Sequence, residues 1–145
     1  MVDVLEEVTS NTITKDHVER RVEDWAARIG DLYERVKQWL PDEWRVANVG
    51  ETAMDEKMMQ RFGIAPRTVP TLELVSQDGR AARFEPRGLW VVGINGRVDL
   101  FCGEKHFVLV DKSEAFEEPA WHIADFRERT ENERLDKQPL VDALR

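Results

Sequence analysis

Three polar residues with complementary chemistry lie close together along the chain, at Arg97, Asp99 and His106. Arg97 and Asp99 are two positions apart, so in a β-strand their side chains point to the same face. If the next strand folds back through a short turn, His106 comes diagonally beside Asp99 on that face. A carboxylate beside an imidazole can orient it as a general base, and an arginine can bind an anionic group. The alternative is a structural cluster in which Arg97 neutralises a buried Asp99.

A second candidate combines Asp99 with the segment Val110-Asp111-Lys112. At these positions alone the chain resembles PD-(D/E)xK nucleases, in which an acid and an Asp/Glu-x-Lys motif share an antiparallel hairpin. The resemblance implies Mg²⁺ held by two acids on one face, beside the lysine. The sequence departs from this pattern because Val110 stands two residues before Lys112, where the second acid belongs. Asp111 is therefore expected to point away from Asp99.

The remaining reactive side chains predict no further catalytic site. His17 and His122 have no second histidine or cysteine at a metal-ligand spacing. Cys102, the single cysteine, alternates with Leu100 on an apolar strand face, which predicts a buried and unreactive thiol. The sequence also has no glycine-rich phosphate loop, dinucleotide fingerprint or nucleophile elbow. We therefore expect no metal and no cofactor.

A long amphipathic helix is the strongest structural signal. Apolar residues recur at alternating spacings of four and three over residues 15–40, and Pro41 ends the pattern. Ala26 and Tyr33 widen the stripe beyond a coiled-coil seam, which favours a helix lying on a sheet. A homodimer through this stripe is the alternative. The stripe consists of Val18, Val22, Trp25, Ile29, Leu32, Val36 and Trp39.

Shorter elements are expected on both sides of the main sheet. Thr52 followed by Asp55 resembles a helix start, and methionines supply an apolar face after it. Thr130 with Glu133 forms a capping-box pattern, which predicts the start of a C-terminal helical segment. Residues 44–49 predict an additional strand.

The second half of the chain predicts an antiparallel β-meander of five or six strands. In this half apolar and polar residues alternate, and turn signals recur at short intervals. The first hairpin turns at residues 77–79, which pairs Leu72 with Phe84. The same register places Glu73 opposite Arg83, so that both the apolar and the charged pairs are complementary.

The next hairpin is expected to turn at Asn95-Gly96, because this dipeptide between two apolar runs favours a type I′ turn. Gly103-Glu104 then makes the turn into a strand at residues 106–110. Both faces of these strands carry apolar residues, so the long helix can cover only one face. Another element or a partner subunit is expected on the other.

The length of 145 residues and the hydrophobic patterns predict a single α+β domain over residues 1–145. In this domain the long N-terminal helix packs on the meander, and residues 1–13 form a flexible N-terminus. Among 145 residues, 29 acidic and 21 basic side chains give a net charge of −8. Although residues 80–97 hold a small basic patch, the excess of acids disfavours nucleic-acid binding. One cysteine, no signal-like start and no apolar run near the ~20 residues of a membrane span predict a cytoplasmic protein.

The preferred hypothesis is a non-enzymatic protein that acts through a protein partner, as an immunity protein, an antitoxin or a regulatory subunit does. Acidic clusters provide candidate contacts for a basic partner through electrostatic steering. The alternative is a small enzyme or ligand-binding protein with a pocket between helix and sheet, and with Arg97, Asp99 and His106 at its mouth. The candidate partner-binding residues are Glu114, Glu117, Glu118, Glu128, Glu131 and Glu133.

Overall fold

The computed structural model describes residues 13–128 and 132–145, which form helices packed on one antiparallel sheet. The predicted α+β class, with a long N-terminal and a short C-terminal helix, is confirmed. The sheet contains seven strands of the described residues, paired in chain order, rather than five or six. Apart from Ile13, the predicted flexible N-terminus lies outside the described residues. The elements are α1 (Lys15–Trp39), β1 (Trp44–Met54), α2 (Lys57–Arg61), β2 (Arg67–Ser76), β3 (Ala81–Val91), β4 (Ile94–Cys102), β5 (Lys105–Asp111), β6 (Trp121–Asp125), a 3₁₀ turn (Phe126–Glu128), β7 (Asn132–Arg134) and α3 (Lys137–Ala143).

α1 begins at Lys15 because Thr14 caps it. The Thr14 hydroxyl oxygen accepts a hydrogen bond from the backbone N–H of His17 at 3.1 Å. The predicted apolar stripe lies in the core, and its members from Val18 to Val36 are at most 2% exposed. A stripe that is buried within one chain is not available as the seam of a coiled-coil dimer.

Two of the predicted strand registers are confirmed. β2 and β3 pair Leu72 with Phe84, and both side chains are fully buried. β4 and β5 are joined by a tight turn at residues 103–104, and they pair Asp99 with Val108. In both hairpins the turn residues and the alternation of apolar residues agree, so local chemistry is sufficient to set the register.

The predicted turn at Asn95-Gly96 is wrong. The chain reverses at Val92 and Gly93 instead, so that Asn95 and Gly96 lie within β4. Gly93 supplies the positive φ of +84° that such a turn needs. Val92 is fully exposed at its tip.

Tertiary contacts explain why Asn95-Gly96 is not the turn. The Asn95 side-chain oxygen accepts a hydrogen bond from Arg21 of α1 at 3.0 Å. Gly96 packs so closely under the Trp25 ring that a Cβ at this position would lie 2.2 Å from a ring carbon. Both residues are therefore used for contact with the helix, and their local preference for a turn is overridden.

The predicted start of the second helix is also wrong. Thr52 pairs with Val69 in the sheet, and β1 continues to Met54. α2 begins only after Glu56, whose carboxylate accepts backbone hydrogen bonds from β3. Strand pairing along β1 thus outweighs the capping pattern. The additional strand predicted over residues 44–49 is confirmed as the first half of β1.

The C-terminal helix starts later than the capping-box pattern predicts. Glu133 lies in β7, where it pairs with Ile123 of β6. Asp136 is the N-cap instead, and its carboxylate accepts a hydrogen bond from the Lys137 N–H at 2.8 Å. The other half of the predicted capping box, Thr130, lies outside the described residues.

The core lies between the helices and one face of the sheet. α1 contacts β2, β3, α2 and α3, so these helices share that side. On the opposite face no α-helix of the described chain packs, and only the 3₁₀ turn folds over the edge beside β5. Among residues 13–128 and 132–145, no helix has the length and apolarity needed to cross a membrane. The strand residues that form the core include Leu72, Leu74, Phe84, Val98, Leu100, Leu109 and Ile123.

Candidate functional site

The face of the sheet that points away from α1 carries three cross-strand rows of side chains. We name it the open face and define it by these rows together with Arg87 and Phe126. Because facing residues of paired strands point to the same side, each row brings together residues from four or five strands. The rows are Glu73, Arg83, Phe101 and His106; Glu85, Asp99, Val108, Ala124 and Asn132; and Arg97, Val110, His122 and Arg134.

The three candidate residues Arg97, Asp99 and His106 meet on the open face, as the predicted register requires. Arg97 donates from Nε to Asp99 Oδ1 at 2.7 Å and from Nη2 to Oδ2 at 3.0 Å. His106 Nε2 lies 2.8 Å from Asp99 Oδ2. The Asp99 side chain is 1% exposed, whereas those of Arg97 and His106 are each 24% exposed. The predicted contact between Asp99 and its two neighbours is therefore present.

This geometry engages both oxygens of the Asp99 carboxylate. The guanidinium fork of Arg97 compensates its charge, and the same hydrogen bonds raise the pKa of Arg97. Both carboxylate oxygens are thus used in contacts within the cluster, which is the pairing that a structural role for a buried Asp99 requires. The cluster also lies on the sheet face opposite α1. A pocket between α1 and the sheet would therefore be on the other face, away from Arg97, Asp99 and His106.

His106 is the centre of an aromatic stack that the sequence analysis did not find. Its ring lies 4.4 Å from the Phe101 ring and 4.2 Å from the Phe126 ring, with interplanar angles of 24° and 14°. Phe101 pairs with His106 in the register, which the sequence does indicate. Phe126 arrives from the 3₁₀ turn, for which the sequence has no comparable signal. The stack fixes the imidazole from both sides.

Arginines surround this stack. A β-bulge in β3, between Pro86 and Gly88, turns Arg87 onto the open face, with its Nε 3.8 Å from Asp99 Oδ2. Arg83 donates from Nε to Glu85 at 2.9 Å, and its guanidinium carbon lies 5.3 Å from the centroid of the Phe101 ring. The side chains of Arg83 and Arg87 are 48% and 52% exposed, so they remain accessible to a partner.

Of the six candidate glutamates, the five that the structure describes lie on surfaces other than the open face. Glu114, Glu117 and Glu118 are exposed on the segment between β5 and β6. Glu128 and Glu133, with two further acids, line a cleft of about 230 Å³ beside α3. Glu131 lies outside the described residues. The two further acids, absent from the predicted set, are Asp125 and Asp142.

The partial resemblance to a nuclease hairpin has no matching geometry. Asp111 is fully buried on the helix side, where Arg28 Nη1 donates to its Oδ2 at 2.9 Å. Its Oδ1 accepts the backbone N–H groups of Ser113 and Ala120, both at 2.9 Å. Asp111 and Asp99 therefore point to opposite faces. No group of three His, Cys, Asp or Glu side chains suited to a metal ion occurs among residues 13–128 and 132–145.

The thiol of Cys102 is 4% exposed, and burial raises its pKa. A raised pKa keeps the thiol protonated, and a thiol is a weaker nucleophile than a thiolate. The residue therefore acts as a small apolar side chain of the core.

These features define a helix-on-sheet α+β protein in which the described helices α1, α2 and α3 share one side of the sheet. No protein-family model, curated protein or solved structure matches the chain.

Replacement of Asp99 tests whether this cluster contributes to stability. We expect Asp99→Asn to lower the free energy of unfolding by about 1–3 kcal/mol, because Arg97 loses a charged acceptor and His106 a hydrogen-bond partner. Urea denaturation measures the change. Glu85→Gln is the control, since its partly exposed ion pairs with Arg83 and Arg87 are worth less than about 1 kcal/mol. Equal losses for the two variants would show that the Asp99 network adds nothing to stability.

Proposed function

We propose that this protein acts without catalysis, by binding another protein through its open face. The observation that carries the proposal is an arginine-rich aromatic sheet face on which no α-helix of the described residues packs. Immunity proteins, antitoxins and regulatory subunits all belong to this functional class. A cytoplasmic location is part of the proposal, supported by a single and buried cysteine.

The residue types on the open face support this proposal. Aromatic residues and arginine are enriched at the energetic centres of protein interfaces. On this face Phe101, His106 and Phe126 form a stack bordered by Arg83 and Arg87. Strands and stacking hold these side chains in place before any partner binds, so little conformational entropy remains to be lost.

Charge indicates what kind of partner fits. Four arginines and three acids give the open face a net charge of +1, in a chain whose net charge is −8. Two copies meeting face to face would bring like-charged arginines together and would carry −8 each. We therefore propose a partner whose surface has an apolar centre and an acidic border. A basic partner of the glutamates on the β5–β6 segment would bind elsewhere.

The experiment compares two double variants of equal net charge. Arg83→Gln with Arg87→Gln removes two arginines from the open face. Arg20→Gln with Arg35→Gln removes two from α1 that are likewise exposed and paired with a carboxylate. Proteins captured from the native host by the tagged wild-type chain are identified by mass spectrometry, and the dissociation constant is then measured with each purified candidate.

We expect the open-face variant to weaken binding of the true partner by roughly tenfold to a hundredfold, since two contacts of interface arginines are lost. The α1 variant should bind within about twofold of wild type. A partner that binds both double variants equally well contradicts the proposal. So does capture of only a second copy of this chain, or of a partner whose binding surface is basic.

A further inference from the structure

Arg21 of α1 is a partly buried guanidinium that forms no ion pair within residues 13–128 and 132–145. Its Nη2 donates to Asn95 Oδ1 at 3.0 Å, and its Cζ lies 5.7 Å from the centroid of the Trp90 ring. Its Nε is buried and makes no hydrogen bond within the described part of the chain. Desolvation by this burial lowers the pKa of Arg21. A cation in this position is costly unless an anion approaches it.

Asp24 and Glu56 are the acids whose negative charges favour the charged form of Arg21, and both already accept hydrogen bonds from other groups. Asp24, one helical turn along α1, accepts a hydrogen bond from Arg28 Nε at 2.6 Å. Glu56 accepts the backbone N–H groups of Leu89 and Trp90 at 2.9 and 3.1 Å. Neither carboxylate forms an ion pair with Arg21 among the described residues. In the described part of the chain, the direct hydrogen-bond partner of Arg21 is thus the neutral side chain of Asn95.

Arg28, two turns further along the same helix, shows what a structural arginine looks like in this protein. It is 4% exposed, and its donors reach Asp24 and Asp111 as well as the Ser113 hydroxyl and the Glu117 carbonyl oxygen. Its charge is compensated twice. Arg21 differs because part of its hydrogen-bonding capacity is unused.

Arg21 lines a cavity of about 340 Å³ at one end of the sheet. The cavity is bounded by the β3–β4 turn and by the segment that follows β5. Lys112 and the single acid Glu114 also line it, and Lys112 Nζ donates to Asn132 Oδ1 at 2.8 Å. Asn95, which is buried, holds the guanidinium and is itself tied to the Glu114 carbonyl oxygen at 3.4 Å.

We infer that this cavity binds a small molecule bearing an oxyanion, a carboxylate or a phosphate, with Arg21 as its charge partner. A planar guanidinium matches either group through paired N–H donors. The cavity is open to solvent, and its volume of about 340 Å³ is near the lower end of the range for small-molecule sites. Because Asn95 and Trp90 already orient the side chain, binding requires little reorganisation. The inference does not depend on the proposed partner of the open face.

The test is an NMR titration of the intact chain with two probes, inorganic phosphate and citrate. We expect saturable shifts of the Gly93 and Ser113 amides and of the Asn95 side-chain amide. Arg21→Gln should raise the dissociation constant by about tenfold to a hundredfold, because a hydrogen-bonded charge pair is lost. Arg35→Gln, the same change at an exposed position of α1, should leave it within about twofold.

Thermal melting without probe separates a binding role from a structural one. Removal of a partly desolvated charge offsets loss of the hydrogen bond to Asn95, so the melting temperature of Arg21→Gln should stay close to that of wild type. Absence of saturable shifts with both probes overturns the inference, as does equal weakening by Arg35→Gln. If Arg21→Gln fails to fold, Arg21→Lys takes its place in the titration. A folded Arg21→Lys that binds the probes at least tenfold more weakly than wild type supports the inference. If Arg21→Lys also fails to fold, or binds like wild type, the inference is overturned.

Discussion

Asp111→Ala is expected to lower the free energy of unfolding by about 3–5 kcal/mol, because the buried guanidinium of Arg28 keeps only Asp24 of its two carboxylate partners and two backbone N–H groups lose their acceptor. Arg28 and Asp111 are 4% and 0% exposed and lie 2.9 Å apart. The same change removes the acceptor for the backbone N–H groups of Ser113 and Ala120. These groups hold both ends of the segment between β5 and β6. Urea denaturation measures the loss.

The matched control is Asp31→Ala, at a half-exposed position where the acid also pairs with an arginine of α1. Asp31 and Arg35 are 48% and 45% exposed, so the change should cost less than about 1 kcal/mol. The double replacement Arg28→Met with Asp111→Leu should recover part of the stability lost in Asp111→Ala, since no unpaired charge remains buried. A loss below about 1 kcal/mol for Asp111→Ala would show that water reaches this ion pair.

Gly96→Ala is expected to cost roughly 3–4 kcal/mol, through overpacking and backbone strain together. The added Cβ would lie 2.2 Å from the Trp25 ring, so that the ring or the strand must move. Gly96 also has a φ of +106°, which residues with a side chain rarely adopt. The midpoint of urea denaturation should fall, with little change in its slope.

Gly93→Ala separates the two contributions, because Gly93 has a φ of +84° but no atom within 4 Å of the added Cβ. Strain alone should cost about 1 kcal/mol there. In a Trp25→Leu background Gly96→Ala should cost less than in the wild-type chain, because the clashing ring is absent. If Gly96→Ala and Gly93→Ala cost the same, contact with Trp25 is not what holds Asn95-Gly96 within β4.

The contact between Asp99 and His106 is a feature that the local sequence was sufficient to predict. The turn at Gly103-Glu104 and the alternation of apolar residues act over about ten residues, and together they place His106 beside Asp99 before any helix is considered. The 2.8 Å contact between the two follows from that register. Phe126 could not be predicted as a member of the stack, because a 3₁₀ turn rather than a strand pairing brings it there.

Two ion pairs of α1 differ in burial, and the local sequence does not predict this difference. Asp24–Arg28 and Asp31–Arg35 have the same spacing and the same chemistry in the sequence. Arg28 is nevertheless buried and bound to Asp111, 83 residues further along the chain, whereas Arg35 stays at the surface. Arg28 and Arg35 are seven residues apart and therefore lie on nearly the same face of α1. They differ in their position along the helix axis, because the segment that carries Asp111 and Ser113 lies beside Arg28. Spacing within the helix does not report which segment of the chain packs there.

The sequence by itself determined the α+β class, the span of α1 and the pairing within two hairpins, because periodicity, capping and turn chemistry act between neighbours along the chain. Only the tertiary structure decided where β3 turns into β4, which face of the sheet α1 covers and that Arg21 meets Asn95 rather than a carboxylate among the described residues. Each of these depends on contacts between segments far apart in sequence, such as Arg21 with Asn95 at a separation of 74 residues. At the β3–β4 hairpin, the packing of α1 against Asn95 and Gly96 outweighs the preference of this dipeptide for a turn.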